Sequence, residues 1–108
     1  MHALFITFRS AASLEDLKDG YIQYAEALRA GAAPGLVAKT WLSDGATQGG
    51  FCLFEDPDAA DRYLAGMFAE AVASNPVFSD VRVEHYDVDE TLSAITNGLG
   101  AVPVGGRV

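Results

Sequence analysis

A lysine and a tryptophan stand two residues apart in the segment GLVAKTWL, residues 35–42. If this segment is a strand, Lys39 and Trp41 point to the same face of a sheet. An ammonium group could hold a phenolate or stabilise an oxyanion, and an indole could stack on a planar ligand. Alternatively, Trp41 packs in a core or a dimer contact, and Lys39 guards a sheet edge or pairs with Glu84 or Glu55.

His85 is the predicted general base for a reaction that starts by removing a phenolic proton. Imidazole is the side chain that most readily exchanges a proton near neutral pH, and His85 falls in the middle of a predicted strand. A hydrogen-bonded histidine with a purely structural role is the alternative. Together, His85 and Lys39 are the candidate catalytic residues.

Three further side chains are candidates for substrate binding beside Trp41. Tyr24 lies on the apolar stripe of the first predicted helix, and Tyr63 and Met67 lie on that of the second. Hydroxyl groups can orient a ligand, and a thioether can adapt to its shape. The alternative is that these stripes form only a core.

Composition excludes several classes of function. The chain has 15 acidic and 7 basic residues and a net charge of -8, which is the wrong sign for nucleic acid or an anionic membrane surface. Its one cysteine, Cys52, and its second histidine, His2, create no metal-ligand spacing. No cofactor or metal is therefore predicted. The lack of a signal segment or a long apolar run predicts a soluble, cytoplasmic protein.

The elements that must position these residues follow from hydrophobic periodicity and from capping signals. One domain is predicted over residues 1–97, followed by a flexible or surface-bound tail over residues 98–108. The predicted elements are strands over His2–Arg9, residues 35–42, Phe51–Glu55 and Asp80–Val88, and helices from Ser13 to about Gly31, from Asp56 to about Asn75 and from Asp89 to Thr96.

The order βαββαβ predicts an α+β, ferredoxin-like antiparallel sheet in strand order 4-1-3-2, with two helices on one face. The strands are nevertheless apolar on both faces: in the first strand Ile6 and Phe8 point one way and Phe5 the other, and in the third strand Phe51 and Leu53 oppose Cys52 and Phe54. A sheet with one wetted face should alternate apolar and polar residues. A second copy of the chain is the simplest cover, so we expect a homodimer in which two sheets form an α+β barrel.

The sequence resembles a known family, the small YdhR-type proteins, which are assigned as monooxygenases within the dimeric α+β barrel superfamily. The resemblance covers about Phe5 to Asn97, and its most specific part is the spacing G-x-x-x-K-x-W followed by GG-x-x-LF. The residues that carry it are Gly35, Lys39-Thr40-Trp41, Gly49-Gly50, Leu53-Phe54, Ala60, Tyr63-Leu64, Asp87-Val88-Asp89 and Leu92-Ser93.

This resemblance implies a ferredoxin-like subunit, a homodimer and a pocket between sheet and helices. It also implies similarity to cofactor-independent monooxygenases that oxidise polycyclic aromatic phenols. The predicted function is therefore a cofactor-independent monooxygenase that uses O2 on a small or polycyclic aromatic molecule. The alternatives are a dimeric protein that binds an apolar or aromatic metabolite without transforming it and, by likeness to other branches of the superfamily, a haem protein that uses His85 as axial ligand.

Overall fold

The computed structural model describes residues 1–100. Four strands and four helices follow one another in the predicted order, with a π-helical turn between α2 and α3. The elements are β1 (His2–Ser10), α1 (Leu14–Arg29), β2 (Leu36–Ser43), β3 (Thr47–Phe54), α2 (Pro57–Tyr63), the π-helical turn (Leu64–Phe68), α3 (Ala69–Ser74), β4 (Phe78–Asp87) and α4 (Glu90–Ile95).

The four strands form one antiparallel sheet in the order β2-β3-β1-β4, which confirms the predicted ferredoxin-like topology. The long helices begin where capping signals predicted. The side chain of Ser13 accepts a hydrogen bond from the backbone N–H of Asp16, and that of Asp56 accepts one from Ala59. Pro57 occupies the first turn of α2, where its missing N–H costs no hydrogen bond.

One face of the sheet, called here the helix-covered face, carries the core. Leu4 and Ile6 of β1 and Phe54 of β3 are at most 2% exposed and pack against helical residues such as Leu28 and Tyr63. The opposite face, called here the open face, carries Phe5 and Phe51, which lie opposite each other in register. Phe51 is 42% exposed within the single chain.

The third strand begins at Thr47, four residues earlier than predicted, because its polar and glycine-rich start looks like a loop. The segment is a strand because it pairs with two neighbours: Gly49 lies opposite Thr7 of β1 and Leu42 of β2. A Cβ on Gly49 would lie 1.9 Å from the carbonyl oxygen of Ile6, so only glycine fits here. This pairing places Gly50 directly beside Lys39.

The second predicted helix is interrupted by a π-helical turn rather than being continuous. In a π turn the backbone hydrogen bond spans five residues, which brings residues i and i+5 to the same side. Tyr63 and Phe68 accordingly lie on one side, with ring centroids 6.0 Å apart. This turn allows both rings to face the sheet.

The side chains of Leu92 and Ile95 on the short helix α4 are 64% and 75% exposed in the single chain. Beyond α4, the backbone at Gly100 lies close to Ala38 on the open face. Residues 101–108 of the predicted tail lie outside the described residues, so a flexible tail over residues 98–108 stays a prediction.

Candidate functional site

A cavity of about 210 Å³ lies between the helix-covered face of the sheet and the helices α1 to α3. Its wall is mostly apolar and aromatic, with a few polar side chains. Among the residues that line it are Tyr24, Lys39, Trp41, Gly50, Tyr63 and Phe68. A concave apolar site with a few converging polar groups is the usual form of a small-molecule site.

Lys39 and Trp41 both point from β2 into the cavity. Their cross-strand partners are Cys52 and Gly50 of β3, and residues opposite each other in register share a face. The Nζ of Lys39 lies 4.7 Å from the centre of the Trp41 ring, which is cation–π contact distance. β2 is an edge strand as predicted, but Lys39 turns inward instead of guarding that edge.

Gly50 makes room for the ammonium group of Lys39. A Cβ at Gly50 would lie 2.7 Å from the Nζ of Lys39 and 3.0 Å from the carbonyl oxygen of Thr40. The side chain of Lys39 therefore lies in the space that a side chain at position 50 would fill. This contact gives the Gly-Gly pair a role in positioning Lys39, beyond shaping the hairpin.

The buried thiol of Cys52 contacts Lys39. Lys39 Nζ donates to the Sγ of Cys52 across 3.4 Å, and Cys52 is 1% exposed. Burial raises the pKa of the Cys52 thiol, and the nearby ammonium group only partly offsets that rise. Cys52 is therefore a neutral thiol at neutral pH and leaves the positive charge of Lys39 uncompensated.

Two tyrosines contribute a hydroxyl pair to the wall of the cavity. The hydroxyls of Tyr24 on α1 and Tyr63 on α2 lie 2.8 Å apart, and either can donate to the other. Burial raises the pKa of both phenols, for Tyr63 most strongly, so both remain protonated. One of the two protons is used in the shared hydrogen bond, and the other is available for a ligand.

A second polar contact ties α1 to the sheet. The Tyr21 hydroxyl donates to Oε1 of Gln48, and Nε2 of Gln48 donates to the carbonyl oxygen of Ala12 across 3.3 Å. Gln48 is 2% exposed and uses its amide within the protein. Burial raises the pKa of Tyr21 to about 12, so this phenol also stays protonated.

Aromatic rings surround the outer part of the cavity. Trp41 is 39% exposed, and its ring lies 5.3 Å from Tyr21 and 6.2 Å from Tyr24, measured between centroids. Phe8 and Phe78 pack together at 4.5 Å on the same wall. A planar aromatic ligand would meet ring faces and ring edges here.

Two of the sequence candidates do not reach the cavity. His85 is exposed on β4, opposite Leu4 in register, and its Nδ1 lies 2.9 Å from Nε2 of His2. This pair lies at the start of β1, whereas the cavity contacts Ile6 and Phe8 farther along that strand. The structure therefore does not bring His85 and Lys39 together. Met67 packs against the core cluster instead of lining the cavity.

Several lining residues were not among the sequence candidates. Phe68 faces the cavity because of the π-helical turn, for which the sequence carries no periodic signal. Asn75 lines it from the end of α3, and its side-chain amide donates to the carbonyl oxygen of Ala71. Cys52 was visible only as an isolated cysteine. Its pairing with Lys39 depends on the register of β2 and β3.

Within residues 1–100, no group of three or more histidine, cysteine or acidic side chains is arranged to hold a metal ion. Over the same range, none of the helices has the length and apolar character needed to cross a membrane.

The sheet topology and the cavity between sheet and helices define a ferredoxin-like α+β domain of the kind found in small monooxygenases. The family model described as "Putative mono-oxygenase ydhR" matches residues 3–99, and the chain belongs to this family. The resemblance noticed in the sequence is thereby confirmed. No curated protein matches the sequence.

Solved structures share the fold at low sequence identity. NE2512 of Nitrosomonas europaea, a protein of unknown function, is 24% identical, with 82% of this chain and 88% of that chain covered and a TM-score of 0.60. SnoaB of Streptomyces nogalater, a cofactor-independent oxygenase, is 19% identical over 84% and 96% of the two chains, with a TM-score of 0.64. A point mutant of MhuD, solved with two manganese protoporphyrin IX molecules per active site, is 14% identical over 82% and 95%, with a TM-score of 0.57.

Proposed function

We propose that the protein is a cofactor-independent monooxygenase that oxidises an electron-rich aromatic molecule inside the cavity between sheet and helices. The observation that carries this proposal is the placement of Lys39: its ammonium group lies in an aromatic-lined cavity, between the Trp41 ring and the Cys52 thiol. Membership in the ydhR family and the shared fold of SnoaB support it.

The proposed reaction uses the cavity to bind and polarise the substrate. A substrate anion gives one electron to O2, and the resulting radical pair combines to form a carbon–oxygen bond. The O–O bond of this peroxide then breaks as the same carbon loses its hydrogen, which releases water, or hydroxide from the peroxide anion, and leaves a carbonyl on the substrate. Each O2 thus supplies one oxygen atom to the product and one to water, and the substrate itself supplies all the electrons.

Lys39 and the hydroxyl pair take distinct roles in this proposal. The ammonium group of Lys39 stabilises the oxyanion that makes the ring electron-rich, and the free proton of the Tyr24–Tyr63 pair donates a second hydrogen bond. Trp41 packs against the ring of the substrate. Positive charge in an apolar site acts strongly because the surroundings screen it poorly.

We propose further that two copies of the chain pack through their open faces. Phe51 and Tyr86 are 42% and 51% exposed, and on the short helix α4 Leu92 and Ile95 are still more exposed. Exposed apolar groups of this size are typical of protein interfaces. A symmetric homodimer would bury them on both copies.

A binding protein that holds an aromatic metabolite without oxidising it is the second candidate, and the observation that favours it is the absence of a histidine or carboxylate among the described residues that line the cavity. A haem protein is not favoured, because His85 lies outside the cavity and bonds to His2.

Oxygen consumption separates these functions. Purified protein, free of flavin and metal, is mixed with a panel of dihydroxynaphthalenes in an oxygen electrode, at a pH at which they are ionised, while quenching of Trp41 fluorescence reports binding. We expect protein-dependent oxygen uptake above the rate without protein for the compounds that quench Trp41. Quenching without oxygen uptake across the panel would favour the binding protein.

A further inference from the structure

The described residues place one charged group in the cavity. Among its described lining residues, Lys39 is the only ionic side chain, and the others are apolar, hydroxyl-bearing or amide side chains, or glycine. The other titratable groups here are Cys52, which contacts Lys39, and the lining residues Tyr21, Tyr24 and Tyr63. Each of these four is neutral at neutral pH, since burial raises its pKa. The interior therefore has an unpaired positive charge.

The same set of residues leaves the described part of the cavity without a group suited to removing a proton at neutral pH. A general base must come within hydrogen-bond reach of the proton that it takes. His85, the candidate from the sequence, lies near the start of β1 and is bonded to His2. A substrate that enters with its hydroxyl protonated would therefore find no partner to ionise it.

The volume of the cavity limits the ring system. An engineered cavity of about 150 Å³ holds benzene, and sites for drug-sized ligands measure about 300 to 1,000 Å³. The 210 Å³ measured here falls between these values. One ring or two fused rings match this volume best.

We propose that the substrate is an aromatic compound of one or two fused rings whose hydroxyl group is already ionised in solution, and that Lys39 selects the anion. This inference rests on the proposed function and specifies its substrate class. The substrate then loses its hydroxyl proton in solution, and no protein residue has to remove it. In a protein with a net charge of -8, Lys39 supplies the local attraction that an anion needs.

Two naphthoquinones of nearly equal shape test the selection of charge. Lawsone carries one hydroxyl that is ionised at neutral pH, and in menadione a methyl group replaces that hydroxyl. Quenching of Trp41 fluorescence gives both dissociation constants for the full-length protein. We expect lawsone to bind at least tenfold more tightly, and its affinity to fall in acid along the titration curve of free lawsone.

Variants at Lys39 and a larger ligand complete the experiment. Lys39→Met should remove the preference for lawsone while menadione still binds, and the binding of menadione shows that the fold is intact. Lys39→Arg, which keeps the charge, should retain a preference for the anion. Alizarin, an anionic compound of three fused rings, should bind at least tenfold more weakly than lawsone.

The possible failures are distinguishable. Equal affinities for lawsone and menadione in the wild-type protein would overturn the selection of an anion and leave an aromatic-binding cavity in place. If Lys39→Met still preferred lawsone, Lys39 would not be the group that selects the anion. Alizarin bound as tightly as lawsone would overturn the limit on ring size. If neither quinone quenched Trp41, the proposed function itself would fail.

Discussion

The Nζ of Lys39 lies 4.7 Å from the centre of the Trp41 ring, inside the cavity. A charged group and an aromatic face are thereby presented together to any ligand that enters. This pairing needs the alternation of β2, which sets both side chains on one face, and it needs Gly50, whose missing side chain leaves space for the ammonium group.

The glycine pair offers two substitutions of the same chemical size with different expected results. Gly49→Ala should lower the free energy of unfolding by ~3 kcal/mol or more, because its Cβ would lie 1.9 Å from a backbone oxygen that cannot move freely. Gly50→Ala should cost ~1 kcal/mol, since its closest contact is the flexible end of Lys39.

Chemical denaturation of both glycine variants measures these differences. Gly50→Ala should also weaken the binding of lawsone, because the new methyl group displaces the ammonium group that Gly49→Ala leaves in place. Equal losses of stability in the two variants would contradict the geometry described for β3.

Stability should fall as the pH rises above about 10, the ordinary pKa of tyrosine. Burial raises the pKa of Tyr21 to about 12 and that of Tyr24 and Tyr63 above the usual range. The unfolded chain therefore loses these protons while the folded chain retains them, which favours unfolding in base. The buried Cys52 thiol acts in the same direction from its lower ordinary pKa.

Denaturation midpoints measured between pH about 9 and 11 test this dependence. Tyr63→Phe should flatten the decline, because phenylalanine has no proton to lose in either state. Cys52→Ala serves as the control that separates the thiol from the phenols. Parallel declines in the wild type and in Tyr63→Phe would show that the hydroxyl of Tyr63 is not protected by the fold.

Replacement of His85 should leave oxygenation nearly unchanged. His85 contacts His2 near the start of β1 and does not line the cavity. We expect His85→Ala to change the rate of oxygen uptake less than twofold and to lower stability by ~1 kcal/mol through the lost hydrogen bond. Lys39→Met, assayed beside it, should lower the rate at least tenfold. A tenfold loss of the rate of oxygen uptake in His85→Ala would show that His85 takes part in the reaction.

The open face should control the oligomeric state. Phe51→Asp places a charge at the centre of the proposed interface, where a dimer would have to bury it, and should convert the dimer to a folded monomer. Ile22→Asp is the matched control, because Ile22 is 50% exposed on α1 and away from that face. Sedimentation velocity distinguishes the species. A wild-type protein that sediments as a monomer at micromolar concentration would refute the dimer.

Much of the fold follows from local signals in the sequence. Ser13 and Asp56 were predicted to begin the long helices, and both accept the expected hydrogen bonds at these caps. The order of elements leads to the observed strand order because crossover connections restrict the possible topologies. The start of β3 was missed, since Gly49 and Gly50 look like loop residues unless their two partner strands are known.

The candidate site was predictable only in part, because alternation gives the face of a residue and not its position along the sheet. Trp41 and Lys39 were correctly expected to share a face. His85 also lies on the helix-covered face, but its register opposite Leu4 sets it near the start of β1 and away from the cavity. Phe68 reaches the cavity through a π-helical turn, which has no periodic sequence signal.

The most direct test of the account is mass spectrometry of the product formed under oxygen-18 gas. Purified protein is supplied with a dihydroxynaphthalene that quenches Trp41, at a pH at which this compound is ionised in solution and in the absence of any added cofactor. The proposed reaction predicts one labelled oxygen atom in the product, released at a rate that falls at least tenfold in Lys39→Met. Recovery of the bound compound unchanged and unlabelled would contradict a monooxygenase and leave the cavity as a binding site alone.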